Sequence, residues 1–474
     1  MRRCRTFRSW GNGPGGLLCL LVLTGCVSYR PEPLDPAARP AEYRARRLDD
    51  ARLREYLQHR MGSVPQDQWS DAQLAVAALL FRPELERDRA NLRAAEAAVV
   101  AAGARTAVGV QGDVERAVSQ EASPWVVSVA GLFTLELGGK RGARQLRARA
   151  ALALAQSRLG ETAWNIVQQV RLAAAAAQQA EAATNQLTGE LAALEQVREL
   201  ERQRFAEAAL TSSELARTVA ELQAARAALA SAQHRQIAAR ADLARAIGIP
   251  PRNIQTLSPR SPMPAGCGLV DSTGQDSLEH LALTSRPEIS IALAEYAEAE
   301  ADLRMEISRH YPDLELGPGF IWDQGVNRWM LGLALPALLG RNIRAPIRAA
   351  EAQRAAVAQQ FFEAQESVLG QLGAAIEACR GARLERSAAD SELVASERGA
   401  ALTRAAYGRG ETGRTEVARS DLTLQRARRT LRESQAGEVL AGLQLEAAAG
   451  EWVSQPRVEW PDPREKPQDW GAKR

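Results

Sequence analysis

Few residues in this chain have the types and spacing that chemistry requires. Gly408-Arg409-Gly410-Glu411-Thr412-Gly413 fits GxGxxG, which cradles a dinucleotide pyrophosphate when it follows a strand and opens a helix. Here it follows a helical pattern of about 60 residues, so it reads as a turn between helices. Gly138-Gly139-Lys140-Arg141 lacks the leading glycine spacing of a phosphate-binding loop. His59, His234, His280 and His310 are too scattered for a local metal motif, and neither Cys267 nor Cys379 neighbours any of them. Carboxylates sit on helical faces with compensating arginines, the pattern of solvated charge. No nucleophile has a recognisable partner. The chain reads as a non-enzyme without cofactor or resident metal.

One residue does stand in a chemical context. Arg2, Arg3, Arg5 and Arg8 precede a short apolar run, Leu17 to Leu23, which ends in Leu23-Thr24-Gly25-Cys26. The run is too short for a membrane anchor, so residues 1–25 read as an export signal. The box resembles a bacterial lipoprotein cleavage site, which implies that Cys26 becomes the lipidated first residue. Val27 follows rather than an aspartate, which implies the outer membrane of a Gram-negative cell. Cys4 and Cys19 leave with the signal. Cys267 and Cys379 then lie in an oxidising compartment and could pair, but two cysteines in a chain of this length form no disulfide framework, and free, incidental thiols are expected.

The chain has 474 residues and a formal charge of +3. Losing the four signal arginines leaves a charge near −1, and no basic footprint for nucleic acid remains. Aromatic residues make up only 5%, and long Ala- and Arg-rich blocks with heptad-compatible patterning point to long packed helices.

The elements follow from periodicity. Prolines at 31, 33, 36 and 40 predict an extended tether, followed by one charged helix from Tyr43 to about Met61; together these fill residues 26–69. Ser70-Asp71 caps the next helix, and Pro83 suits the first turn of a renewed one. A weakly alternating block from Thr106 to Val118 pairs with Trp125–Leu135, which carries Val127, Val129, Gly131, Phe133 and Leu135 on one face. The Gly138-Gly139 turn then feeds a helix from Gly142 to Ala208, roughly 100 Å long at 1.5 Å per residue. It reverses near Ala208–Ser213, where Ser212 or Ser213 is the expected cap, and returns to Ile247.

Residues 250–276 form a linker, and the pattern then repeats. Arg286-Pro287-Glu288 echoes Arg82-Pro83-Glu84, Gly340-Arg341 echoes Gly139-Lys140, and Gly450 echoes Gly248. A second hairpin has Leu314, Leu316 and Phe320 on one face and Trp329, Leu331, Leu333 and Leu335 on another. Landmarks recur at an offset of about 200 residues, the signature of internal duplication. The repeats span 70–249 and 277–452, and a Pro- and Trp-containing tail fills 453–474. Four strands are too few for a closed membrane barrel, so several copies must contribute.

This duplicated helix–hairpin–long helix–tip–helix pattern resembles the TolC-like outer-membrane efflux proteins over roughly residues 70–452. The resemblance implies a mainly α fold with a membrane β-barrel, in which a homotrimer shares one 12-stranded barrel that continues into a periplasmic α-helical barrel. It implies an outer-membrane exit duct of a tripartite efflux system, working with a periplasmic adaptor and an inner-membrane pump of the resistance-nodulation-division type. Leu135–Arg141 looks most like the heavy-metal (cobalt-zinc-cadmium) efflux subgroup. The rival cargoes are drugs and secreted polypeptides, and the rival architecture is a periplasmic adaptor of helical hairpins. Carried over by position, the gate lies at the tips around Ala208, Glu214 and Arg217 and around Gly410, Glu416 and Arg419. Ala208 stands where the family has glycine. Glu214/Arg217 and Glu416/Arg419 share an i,i+3 spacing and read either as rings that line the closed tip or as exposed helix pairs worth a few tenths of a kcal/mol. Gly138, Gly139, Lys140, Gly340 and Arg341 mark the strand-to-helix junctions.

Overall fold

The computed structural model describes residues 29–61, 68–116, 118, 125–254, 258–259, 266–323, 325–335 and 344–450. The export signal, Cys26, Gly340, Arg341 and the tail from residue 451 lie outside the described residues. Residues up to Ala45 form one unit and those from Arg46 a second. In the first, α1 (Ala38–Ala45) begins inside the segment read as an extended tether. Pro40 falls in its first turn, where a missing backbone N–H removes no intrahelical bond. The single helix expected from Tyr43 to Met61 is therefore two, α1 and α2 (Ala51–Met61).

The second unit opens with α3 (Asp71–Phe81) and α4 (Pro83–Ala102). Ser70 caps α3 through a reciprocal box: the Gln73 N–H donates to Ser70 Oγ, and the Ser70 N–H donates to the Gln73 side chain. Strands β1 (Gly109–Arg116) and β2 (Trp125–Leu135) form the first hairpin. They lead to α5 (Lys140–Ala206) and its antiparallel return α6 (Ser212–Ile247). After the linker come α7 (Leu269–Thr273), α8 (Gln275–Ser285) and α9 (Pro287–Ser308). The second hairpin, β3 (Leu314–Asp323) and β4 (Val326–Ala334), precedes α10 (Arg344–Gly408) and α11 (Arg414–Ala449). No helix among the described residues is long and apolar enough to cross a membrane.

The duplication has a structural cause at the Arg-Pro-Glu echo. Arg82 grips Glu84 and donates to Gln169 on α5 and to the Ala246 carbonyl at the end of α6. Arg286 likewise grips Glu288 and donates to Gln371 on α10 and to the carbonyls of Ala447 and Ala448 at the end of α11. In each repeat one arginine thus satisfies carbonyls that a helix end leaves unpaired. Each proline opens the following helix at its first position, and Gly248 and Gly450 end the return helices at φ 87° and 71°.

Two apolar cores flank these joints. One gathers Leu74, Leu79, Leu85, Ile166, Val170 and Ile247 of the first repeat, and the other Leu278, Ile289, Val368, Leu372, Ile376 and Leu445 of the second. The second core holds a correction. Cys267 and Cys379 are not free: they form a disulfide, with Cα atoms 5.3 Å apart. It fastens the linker to α10, and Asp271 adds an ion pair to Arg383 at 2.9 Å. A separation of 112 residues gives sequence reasoning no hold on whether two thiols meet.

Candidate functional site

The two hairpins merge into one antiparallel sheet in the order β1-β2-β3-β4. Its register sorts the side chains by chemistry. Val114, Val127 and Trp322 lie in one cross-strand row, and Val129, Phe320 and Trp329 in another. Leu316 lies opposite Leu333, so the apolar sets of the second hairpin share one face. Asp113 and Ser128 share a row with Arg328 on the other face, and Glu115 and Asp323 share a second row on that face. Glu315 lies on that face too, opposite Thr134. All four strand carboxylates are therefore on the polar face, and the arginine there, Arg328, is paired with Asp323 at 3.1 Å. Among the described residues β1 and β4 have open edges, and the apolar face stands bare, with Trp329 86% exposed.

The sheet passes into helix through Gly138 and Gly139, both left-handed at φ 69° and 73°. A Cβ on Gly138 would stand 2.5 Å from the Tyr311 ring, so both the backbone conformation and the packing require glycine there. Lys140 Nζ bonds Asp313 Oδ1 at 2.8 Å, and Arg144 grips Glu136. The predicted junction residues of the first repeat thus come together.

At the far end, the α5–α6 tip turns through Ala208 at φ 57°, and the α10–α11 tip through Gly410 at φ 77°. Ala208 is the non-glycine residue with positive φ among the described residues. The two tips are conformational equivalents, although one keeps a Cβ where glycine would cost nothing. The cap of α6 is Thr211 rather than Ser212 or Ser213. The Glu214 N–H donates to Thr211 Oγ1 at 3.3 Å, and the Thr211 N–H and hydroxyl both donate to the Glu214 carboxylate, at 2.9 and 2.6 Å. The Thr211 hydroxyl and backbone hold that carboxyl below its usual range. All three are adequate cap residues, so composition could not choose among them.

The expected i,i+3 pairs do not form among the described residues. Glu214 is occupied by its cap, and Arg419 turns away from Glu416 to Glu201 on α5. Arg419 Nε donates to Glu201 Oε1 at 2.8 Å and its Nη2 to Thr218 Oγ1 at 2.9 Å, while the Thr218 hydroxyl donates to Glu201 Oε2 at 2.5 Å. Glu201 is 2% exposed. Arg217 and Glu416 stay exposed. Within one chain the tip therefore carries a three-helix clasp of Arg419, Glu201 and Thr218. An apolar cluster of Leu194, Val197, Leu222 and Leu422 lies behind it.

Two further charged contacts continue the clasp along α5 and α11. Glu190 is held by Arg426 at 2.8 Å and Arg429 at 3.1 Å. Nearer the other end Arg171 bonds Glu446 at 2.6 Å, with the signs reversed. Sequence reasoning missed these contacts, because their partners are 236 to 275 residues apart.

A hollow of about 410 Å³ lies between α4, α5, α9 and α10, lined by Asp88, Arg158, Glu161, Glu288 and Glu295 among others. Burial, then Glu288, raises the Glu161 carboxyl above its usual range, with Arg158 opposing and Glu295 and Asp88 adding to the rise. No group of three or more His, Cys, Asp or Glu among the described residues is arranged to hold a metal ion.

Residues 278–451 match the family model described as outer membrane efflux protein. No curated protein matches the chain. Among solved structures, the outer membrane protein VceC of Vibrio cholerae is similar at 18% identity and a TM-score of 0.64, over 80% of this chain and 96% of that one. The open state of the Neisseria gonorrhoeae MtrE outer membrane channel aligns at 17% identity and a TM-score of 0.60, over 82% and 93%. CusC, whose structures concern folding and transmembrane channel formation, aligns at 15% and 0.64, over 80% and 91%. The second repeat thus matches the outer membrane efflux protein family model, and both repeats together have the fold of solved outer-membrane channels.

Proposed function

We propose that the chain is the passive outer-membrane exit duct of a tripartite efflux system. It is exported by residues 1–25, lipidated at Cys26 and assembled as a homotrimer. The observation that carries this reading is the sheet. Four strands with two open edges and a bare apolar face cannot persist alone in a bilayer, whereas three copies joined edge to edge make a closed barrel. Its polar face then lines the lumen and its apolar face meets lipid. Strands of 8 to 11 residues are near the length needed to cross when tilted.

The helices extend the lumen toward a periplasmic adaptor and an inner-membrane pump of the resistance-nodulation-division type, which supplies the energy. The gate is at the tips, and releasing Arg419 from Glu201 is the opening step. An adaptor built from a single helical hairpin has no use for two β-hairpins joined in one sheet. Heavy-metal cations are the proposed cargo: Leu135–Arg141 resembles the heavy-metal subgroup, and Asp113, Glu115 and Glu315 give the lumen face an excess of negative charge. Drugs and polypeptides are the competing cargoes.

The reading is tested in outer-membrane fractions and planar bilayers. A heat-sensitive trimer on gels and discrete single-channel conductance are expected. A correctly exported, soluble monomer that forms no channels would refute it.

A further inference from the structure

A hollow of about 490 Å³ lies where β2 ends, α5 begins and α9 ends, lined by Gly138, Gly142, Leu146, Arg149, Arg304 and Ile307 among others. Its position relative to the sheet follows from the helix. Glu136 and Asp313 continue the alternation of the polar face by one residue, and they hold Arg144 and Lys140. Taking Lys140 as zero, Arg144 lies at about 40° around α5, whereas Gly142, Arg149 and Leu146 lie at about 200°, 180° and 240°. The hollow is therefore on the opposite side of α5, the side of the apolar sheet face.

The lining is amphipathic in a particular way. Leu146 and Ile307 are 36% and 43% exposed. Arg149 has no carboxylate partner among the described residues, and Arg304 has an open contact to Glu300 at 3.4 Å. By contrast, Lys140 and Arg144 on the other side of the helix are neutralised by close carboxylates. Guanidinium charge that is unpaired at Arg149 and held by one long contact at Arg304, beside bare aliphatic surface just inside the rim of an apolar sheet, is complementary to a phosphate carrying acyl chains.

We infer that this hollow is a binding site for an anionic glycerophospholipid of the inner-facing leaflet. Arg149 and Arg304 hold the headgroup phosphate, and the first methylenes lie over Leu146 and Ile307. The inference rests on the reading that the sheet lies in a bilayer. Such a site fixes the depth of the barrel, because the phosphate plane is tied to the first turns of α5.

The test uses the full chain in nanodiscs of equal parts phosphatidylglycerol and phosphatidylcholine, with lipid retention read by native mass spectrometry. Retained phosphatidylglycerol is expected to exceed phosphatidylcholine about fivefold for each engaged arginine. The double variant Arg149→Gln/Arg304→Gln should insert normally and return to the bulk ratio. Normal insertion with no enrichment, or enrichment that survives the double variant, overturns the lipid site alone. Failure to enter nanodiscs overturns the membrane reading and this site with it. If inorganic phosphate in detergent protected Arg149 and Arg304 from arginine-specific labelling as well as phosphatidylglycerol does, the lipid assignment would also fall.

Discussion

Arg419 of the second repeat and Glu201 of the first are joined by a hydrogen bond of 2.8 Å from Nε to Oε1, next to the tips where both repeats turn. Glu201 is buried while the Arg419 side chain is 37% exposed, so removing the arginine strands a carboxylate that water cannot easily reach. Breaking a buried pair from one side costs about 3–5 kcal/mol. The partial exposure of Arg419 lowers the expectation for Arg419→Ala to about 2 kcal/mol. Single-channel conductance should rise with the loss of stability. Arg419→Lys should fall between the two, since it keeps the charge but loses the fork that also reaches Thr218. Stability lost with no change in conductance would assign the clasp a purely structural role.

Ala208→Gly should stabilise the first tip by about 1 kcal/mol, because it removes a Cβ from a left-handed residue. Gly410→Ala should cost a similar amount at the second tip, where a Cβ would meet no atom within 4 Å and the penalty is conformational alone. Denaturant unfolding of the two variants measures the pair. Opposite signs are expected, and equal signs would mean that the tips are not equivalents.

The disulfide closes a loop of 112 residues, long enough for loop-closure entropy to contribute about 2–4 kcal/mol. Cys267→Ala/Cys379→Ala should lower the unfolding free energy from urea denaturation by that amount, and reductant should do the same to the natural chain while leaving the double variant untouched. Non-reducing gels, with the reduced chain running more slowly, give an independent readout.

Glu161 predicts a pH dependence. Its carboxyl is raised in the folded chain by burial and by Glu288, so the folded state binds its proton more tightly than the unfolded state does. The contribution is most favourable below the unfolded value and is lost as pH rises through the folded one. Glu161→Gln should therefore raise the urea midpoint at neutral pH and make no difference below the ordinary glutamate range, about 4. A gain that persists in acid would point to packing instead of charge.

Much of this architecture is legible in the residues themselves. The caps at Ser70, Pro83, Pro287, Gly248 and Gly450, the alternation of Trp125–Leu135 and the offset between Arg82 and Arg286 are local signals, and each marks what forms there. The echo of Arg82 in Arg286 was readable without its reason, since the carbonyls each one serves lie about 160 residues onward. The Glu201 clasp, the Arg171–Glu446 contact and the disulfide depend on how helices from different repeats are laid together. The i,i+3 spacing of Glu416 and Arg419 offered a nearer partner, and packing supplied a more buried one.

The paired glycines at 138 and 139 acquire another meaning beside the length of the helix they introduce. A rod of roughly 100 Å swings its far end by about 1.7 Å for each degree of tilt at its root. That is enough to undo a contact as short as the one between Arg419 and Glu201. Tyr311 closed over Gly138, with the clamps from Lys140 to Asp313 and Arg144 to Glu136, makes the root a stiff fulcrum. Angular play of only a few degrees in the sheet would reach the tips as a displacement of several ångströms.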